Sequence, residues 1–112
     1  MDDNSDTRTE ASRSGRDTVY EIEGLLFVWN KIKAENNKAK HGISFEEAAS
    51  VFTIDGAEEF EDDEHSDDED RIIVVGISRE LRVLTVVHCC CEDDTVIRII
   101  SARKATQLEQ KL

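Results

Sequence analysis

Nowhere in this chain do apolar residues run far enough to cross a membrane as a helix, which takes roughly twenty in succession. The N-terminus has no apolar stretch of the kind a secretory leader needs, so a cytoplasmic protein is expected. No CxxC or paired Cys/His spacing occurs, and the three cysteines, Cys89, Cys90 and Cys91, are consecutive. Adjacent residues of a strand face opposite ways, so the three do not converge on one metal ion and read as thiols of a reducing compartment. The same geometry disfavours a thiol nucleophile paired with His88. Aromatic side chains are scarce, with one Trp and four Phe among 112 residues.

The shortage of apolar residues is local. Residues 1–18 contain no apolar side chain larger than alanine after Met1 and are expected to form a disordered tail. Residues 57–70 hold ten acids among fourteen and are expected to form a solvated acidic loop. The loop lacks the spaced ligands and glycine hinge of a calcium site. No metal or cofactor is therefore expected. What remains, residues 19–112, has the length of one domain.

Charge of one sign dominates, with 26 acids against 14 bases and a formal net charge of −12. The acidic run supplies ten of the negative charges, and the tail adds five acids against three bases. The rest balances at eleven of each, and from Arg71 onward seven bases face five acids. The whole-chain field slows encounter with nucleic acid, while the late segment is locally basic. The acidic run is suited to cover that basic segment or to attract a basic partner.

Arg71 to Thr106 organises the chain. Three β-branched runs, Ile72–Ile77, Val83–Cys91 and Val96–Ile100, are separated by short polar breaks and read as strands. The breaks are too short for crossover helices, so these neighbours should pair antiparallel. Upstream, Val19–Trp29 reads as a strand or a strand pair bent at Gly24, with Phe27 and Trp29 in the core. Asn30 caps a polar surface helix over 31–40, with Ile32, Asn36 and Ala39 on its inner face, and Gly42 ends it. Ser44 and Glu47 form a capping box for a second helix whose buried stripe is Phe45, Ala48, Ala49 and Phe52. An edge strand is expected within Ile54–Phe60. A last helix, about 102–111, is expected after a Ser101 cap. The fold class is a small α/β (α+β) domain: an antiparallel sheet with two helices before the main strands and one C-terminal helix.

Several fragments are distinctive in combination: Phe27-Val-Trp29-Asn30 with Lys33, Lys40-His41-Gly42-Ile43-Ser44-Phe45-Glu46-Glu47-Ala48, and Ile97-Arg98-Ile99-Ile100-Ser101-Ala102-Arg103-Lys104-Ala105-Thr106. Between them lie His65-Ser66, Asp70-Arg71, Gly76-Ile77-Ser78, Arg82 and Val86-Val87-His88. This set resembles the BrnT family of bacterial type II toxin–antitoxin systems. The resemblance implies a RelE-like toxin fold and RNA cleavage that arrests translation. It also implies neutralisation by a BrnA-like ribbon-helix-helix antitoxin that dimerises, in an assembly such as a heterotetramer. Operator DNA would be contacted only through the antitoxin. The chain carries Asn30, Ile72 and Cys89 where the family has aspartate, an aromatic and threonine. Those departures keep a second reading open, a catalytically inactive toxin-fold protein that acts as a binding or regulatory partner.

RNA cleavage without a metal uses the substrate's own 2′-hydroxyl. It needs proton transfer and cations for the charge that builds on phosphorus. Histidine suits the first task and arginine the second. His88, Arg98, Arg71 and Arg82 are the candidate catalytic residues, and Arg103, Lys104, Lys40 and His41 the candidate substrate contacts. The competing structural readings are a half-buried His88 with a backbone partner, ion-paired arginines, and His41 as a helix C-terminal residue favoured by the dipole. Two bases at the start of the last helix, Arg103 and Lys104, favour an anion or an acidic partner there. The catalytic reading requires the arginines to share one face with an imidazole in reach.

Overall fold

The computed structural model describes residues 17–61, 71–91 and 95–110. Most of the expected tail and the acidic run from 62 to 70 lie outside these residues, His65 included. Asp17 and Thr18, grouped with the tail on composition, already belong to the first strand.

Six strands form one sheet: β1 (Asp17–Ile22), β2 (Leu25–Asn30), β3 (Glu58–Glu61), β4 (Ile72–Ile77), β5 (Val83–Cys91) and β6 (Val96–Lys104). Their order is β1-β2-β6-β5-β4-β3. The glycine bend expected near 24 is a tight hairpin, since Glu23 and Gly24 both have positive φ, at 50° and 84°. Such a turn matches the twist of the strands it joins. β4, β5 and β6 pair antiparallel, as their short connections require. The sheet departs from the all-antiparallel expectation at one seam: β2 lies parallel to β6, with Phe27 opposite Ile97. Two helices and three strands separate β2 from β6 in sequence, which is ample chain for a parallel return.

Helices α1 (Lys31–His41) and α2 (Phe45–Ser50) cover one side of this sheet. The Asn30 side chain accepts from Lys33 N at 3.0 Å, and Gly42 closes α1 in the left-handed conformation. The inner face of α1 is set by Asn37, not Asn36, while Ile32 is 46% exposed. Asn37 donates to the carbonyls of Ile43 and Ala102 at 3.0 and 2.8 Å, and accepts from Ala102 N at 3.1 Å. A polar side chain thus holds this helix on β6. Ser44 caps α2 by accepting from Glu47 N at 3.0 Å. Phe45, Ala48 and Ala49 are buried as expected and meet Phe27, Trp29, Val74, Leu84, Val86, Ile99 and Ala102. A 3-10 turn, Val51–Thr53, follows.

The C-terminal expectation fails by several residues. β6 continues to Lys104, because Ala102, Arg103 and Lys104 pair with Val86, Thr85 and Leu84. Helix α3 is only Gln107–Gln110. Thr106, not Ser101, caps it: Glu109 N donates to Thr106 Oγ1 at 3.1 Å, and Thr106 N donates to the Glu109 carboxylate at 2.8 Å. This reciprocal pair is a capping box.

Candidate functional site

Alternation along β5 sorts the candidate residues. Leu84, Val86 and His88 point toward the helices, and Leu84 and Val86 are core residues. Thr85, Val87 and Cys89 point to the opposite side, and their partners on β6 are Arg103, Ser101 and Arg98. Arg98 and Arg103 therefore share the side of the sheet that α1 and α2 leave uncovered. They are an odd number of residues apart, and simple alternation would send them to opposite faces. A bulge corrects the parity: Val87 pairs with Ser101 and His88 with Ile99, which leaves Ile100 as an extra residue of β6. Arg71 precedes Ile72, the partner of His88, so one step beyond the ladder sets it next to Cys89 on the same side as Arg98.

Carboxylates from two terminal elements meet this face. Arg98 Nη2 lies 3.0 Å from Asp17 Oδ2 of β1. Arg103 makes a two-pronged contact with Glu109 of α3, at 2.9 and 2.7 Å. Thr85 Oγ1 donates to the same carboxylate at 2.9 Å. The Arg103 guanidinium, with help from Thr106 N and Thr85, holds the Glu109 carboxyl down at about 2 against the pull of burial. Beside Glu109 a depression of about 240 Å³ opens between β3, β4 and α3. Phe60, Val75, Ile77 and Val83 form its apolar lining.

Arg82 is elsewhere. It sits in the β4–β5 turn and donates through Nε to Glu47 Oε2 at 3.0 Å, and through Nη2 to Glu47 Oε1. Ser78 Oγ donates to Glu47 Oε2 at 2.6 Å. Burial alone pushes the Glu47 carboxyl up, but Arg82 and Ser78 outweigh it and hold the group below its usual value. Glu47 was expected to return to the start of its own helix; instead its carboxylate anchors the β4–β5 turn. Arg82 Nη2 also reaches the Gly42 carbonyl at 3.5 Å, beside Lys40 and His41 in the last turn of α1. Lys104 is exposed and pairs with Leu84, which places it on this helical side too.

His88 belongs to neither group. It is 2% exposed, packs edge-on against Phe52 at 4.8 Å, and its Nδ1 has no hydrogen-bond partner among the described residues. Burial pushes its pKa down to about 4, so the ring is neutral at physiological pH. The eight candidates thus divide into an open-face group (Arg98, Arg103 and Arg71 at its margin), a helical-side group (Arg82, Lys40, His41 and Lys104), and one interior histidine. The four arginines do not share one cleft. Sequence reading missed Asp17, Glu109 and Phe60. The Thr106-x-x-Glu109 spacing was the available signal for Glu109.

No helix among the described residues is long and apolar enough to cross a membrane. No curated protein matches the chain. Among solved structures, the Brucella abortus ribonuclease toxin BrnT is similar, at 25% identity and a TM-score of 0.53 over 70% of this chain and 94% of that one. The small α+β architecture, with helices before and among the strands, is that of the RelE- and BrnT-like toxins. The model of the BrnT family, described as the ribonuclease toxin of a type II toxin–antitoxin system, matches residues 29–109. That span takes in α1, α2, β3 to β6 and Glu109, and the chain therefore belongs to the BrnT toxin family.

Proposed function

We propose that this chain is a metal-independent endoribonuclease toxin whose RNA contact is the open side of the sheet. The observation that carries the reading is the bulge at Ile100, which brings Arg98 and Arg103 to the side of the sheet opposite α1 and α2. Arginine presents a planar fork to a phosphodiester and stays charged at all physiological pH values. Phe60, in the depression beside Glu109, offers an apolar surface for a nucleobase. Arg98 and Arg103 hold the backbone, and Arg71 extends the cationic margin. The imidazole expected on the arginine face is not there, since His88 is interior and His41 ends α1. Water therefore takes the 2′-hydroxyl proton and supplies one to the leaving 5′-oxygen, while the arginines hold the strand in line and neutralise the charge that develops on phosphorus. His88, catalytic in the sequence reading, acts here through the core beneath this face, and Arg82 through the turn that it anchors. Lys40, His41 and Lys104 form a second basic cluster on the helical side, suited to a more distant stretch of the same RNA.

Family membership supports a cognate antitoxin as the physiological partner, and a BrnA-like ribbon-helix-helix protein is the reading we adopt. The internal ion pairs of Arg98 and Arg103 favour one competing reading, a toxin fold kept as a binding partner without catalysis. Growth after induction of the chain alone, with end-mapping of cellular RNA, separates the two. The nuclease reading expects growth arrest and discrete new RNA ends. Both should fall at least about a hundredfold in an Arg98→Ala, Arg103→Ala double variant, the scale of losing transition-state charge stabilisation. Unchanged RNA in cells carrying the folded wild-type chain overturns it.

A further inference from the structure

The two face arginines are met by carboxylates of different origin. Glu109 lies at the last position of the family match, whereas Asp17 belongs to β1, which lies wholly before it. Among the described residues β1 pairs with β2 alone and forms one edge of the sheet, and α3 is a single turn with Leu108 74% exposed. Neither element contributes a fully buried core residue, although Tyr20 and Ile22 of β1 pack against the core from its edge. Each is thus peripheral, yet each delivers one carboxylate to one open-face arginine. The partners of Arg98 and Arg103 on β5, Cys89 and Thr85, are four residues apart, so the backbone positions of the two arginines are spaced by about 13 Å along the strand. An extended RNA strand places more than one phosphate across such a span.

Resting on the RNA-binding reading above, we infer that Asp17 and Glu109 are internal stand-ins for two backbone phosphates, and that RNA must displace both to engage Arg98 and Arg103. The geometry of the Arg103–Glu109 contact is the two-pronged one that a phosphodiester would also take. Both pairs are partly exposed, with Arg98 28% and Arg103 42% accessible at the side chain, so the occupants can exchange with a competing anion. β1, which lies before the matched span, therefore sets a threshold for RNA binding through Asp17.

The test compares wild type with Asp17→Asn and Glu109→Gln, each near-isosteric and each checked for an unchanged fold by circular dichroism. Two readouts are taken on the full chain: affinity for a short labelled single-stranded RNA, and modification of Arg98 and Arg103 by an arginine-selective dicarbonyl reagent, mapped by mass spectrometry. Glu21→Gln, an exposed carboxylate on the same side of β1, is the control for net charge. Each variant should bind RNA about two- to fivefold tighter than wild type at low salt, the range that part-exposed ion pairs allow, with a smaller gain at high salt. Its arginine should also label faster. The Asp17→Asn gain should vanish in an Arg98→Ala background. Unchanged labelling overturns the inference, as does an equal gain from Glu21→Gln or unchanged affinity in a chain that binds RNA. Faster labelling with no RNA binding by any variant supports the masking contact and ends the RNA reading instead.

Discussion

Two side chains show how one residue type can be assigned from sequence and then reassigned by its surroundings. Histidine was singled out because its ordinary pKa lies near neutrality. His88 loses that property, since its ring is buried between Phe52 and the sheet and its Nδ1 has no partner among the described residues. In the unfolded chain the ring titrates near 6.5, in the folded chain near 4. Between those values the unfolded state binds more protons than the folded one, so stability falls as pH drops through this window. The loss levels off below about pH 4 and totals up to about 3 kcal/mol. Urea unfolding followed from neutral pH to about pH 4.5 should show this slope in wild type and a flatter one in His88→Leu. Equal slopes would mean that the ring is not held neutral. Arg82 is the second example. Its charge looked catalytic, but a buried carboxylate on α2 claims it, and the sequence gives no hint of a partner 35 residues away.

At the level of elements, legibility followed the kind of force that fixes each one. The α2 stripe and its Ser44 cap are local, and both were readable. So was the Gly42 stop of α1, because a left-handed terminal residue needs glycine. The orientation of α1 was not readable from apolar spacing, since the helix is fastened by Asn37 and not by a greasy stripe. Asn37→Ala leaves the buried N–H and C=O of Ala102 and the Ile43 carbonyl without this partner. It should cost about 2–4 kcal/mol, measured by denaturant unfolding; a loss under about 1 kcal/mol would show that α1 is held by other contacts. The end of β6 was misjudged for a related reason. Ser101 is a plausible cap in isolation, but pairing of Ala102–Lys104 with β5 overrides local propensity. The sequence offered the correct cap at Thr106 five residues further on.

For the molecule as a whole, most of the tail and of the acidic run set apart by composition lie outside the described residues, and topology was only half visible. Short breaks dictate the β4–β5–β6 meander, whereas the parallel β2–β6 seam depends on residues about seventy positions apart, which no local pattern announces. The centre of the sheet, β5 and β6, has strands on both sides, while β1 and β3 are the outermost strands among the described residues. Native-state hydrogen exchange should therefore be slowest in β5 and β6 and fastest in β1 and β3, with β1 opening at a lower free energy than the whole chain. Uniform protection across all six strands would contradict this, and would also tie Asp17 more firmly to Arg98 than a single edge pairing allows. The bulge has a consequence of a different kind. Display on a sheet is counted in twos, and one supernumerary residue makes an uneven interval even. Loss of one residue between positions 98 and 103 would leave an interval of four, matching the four that separate Cys89 from Thr85, and both cations would keep their side without the bulge. The irregularity is thus what an odd interval needs, and a deletion that makes the interval even removes the need for it.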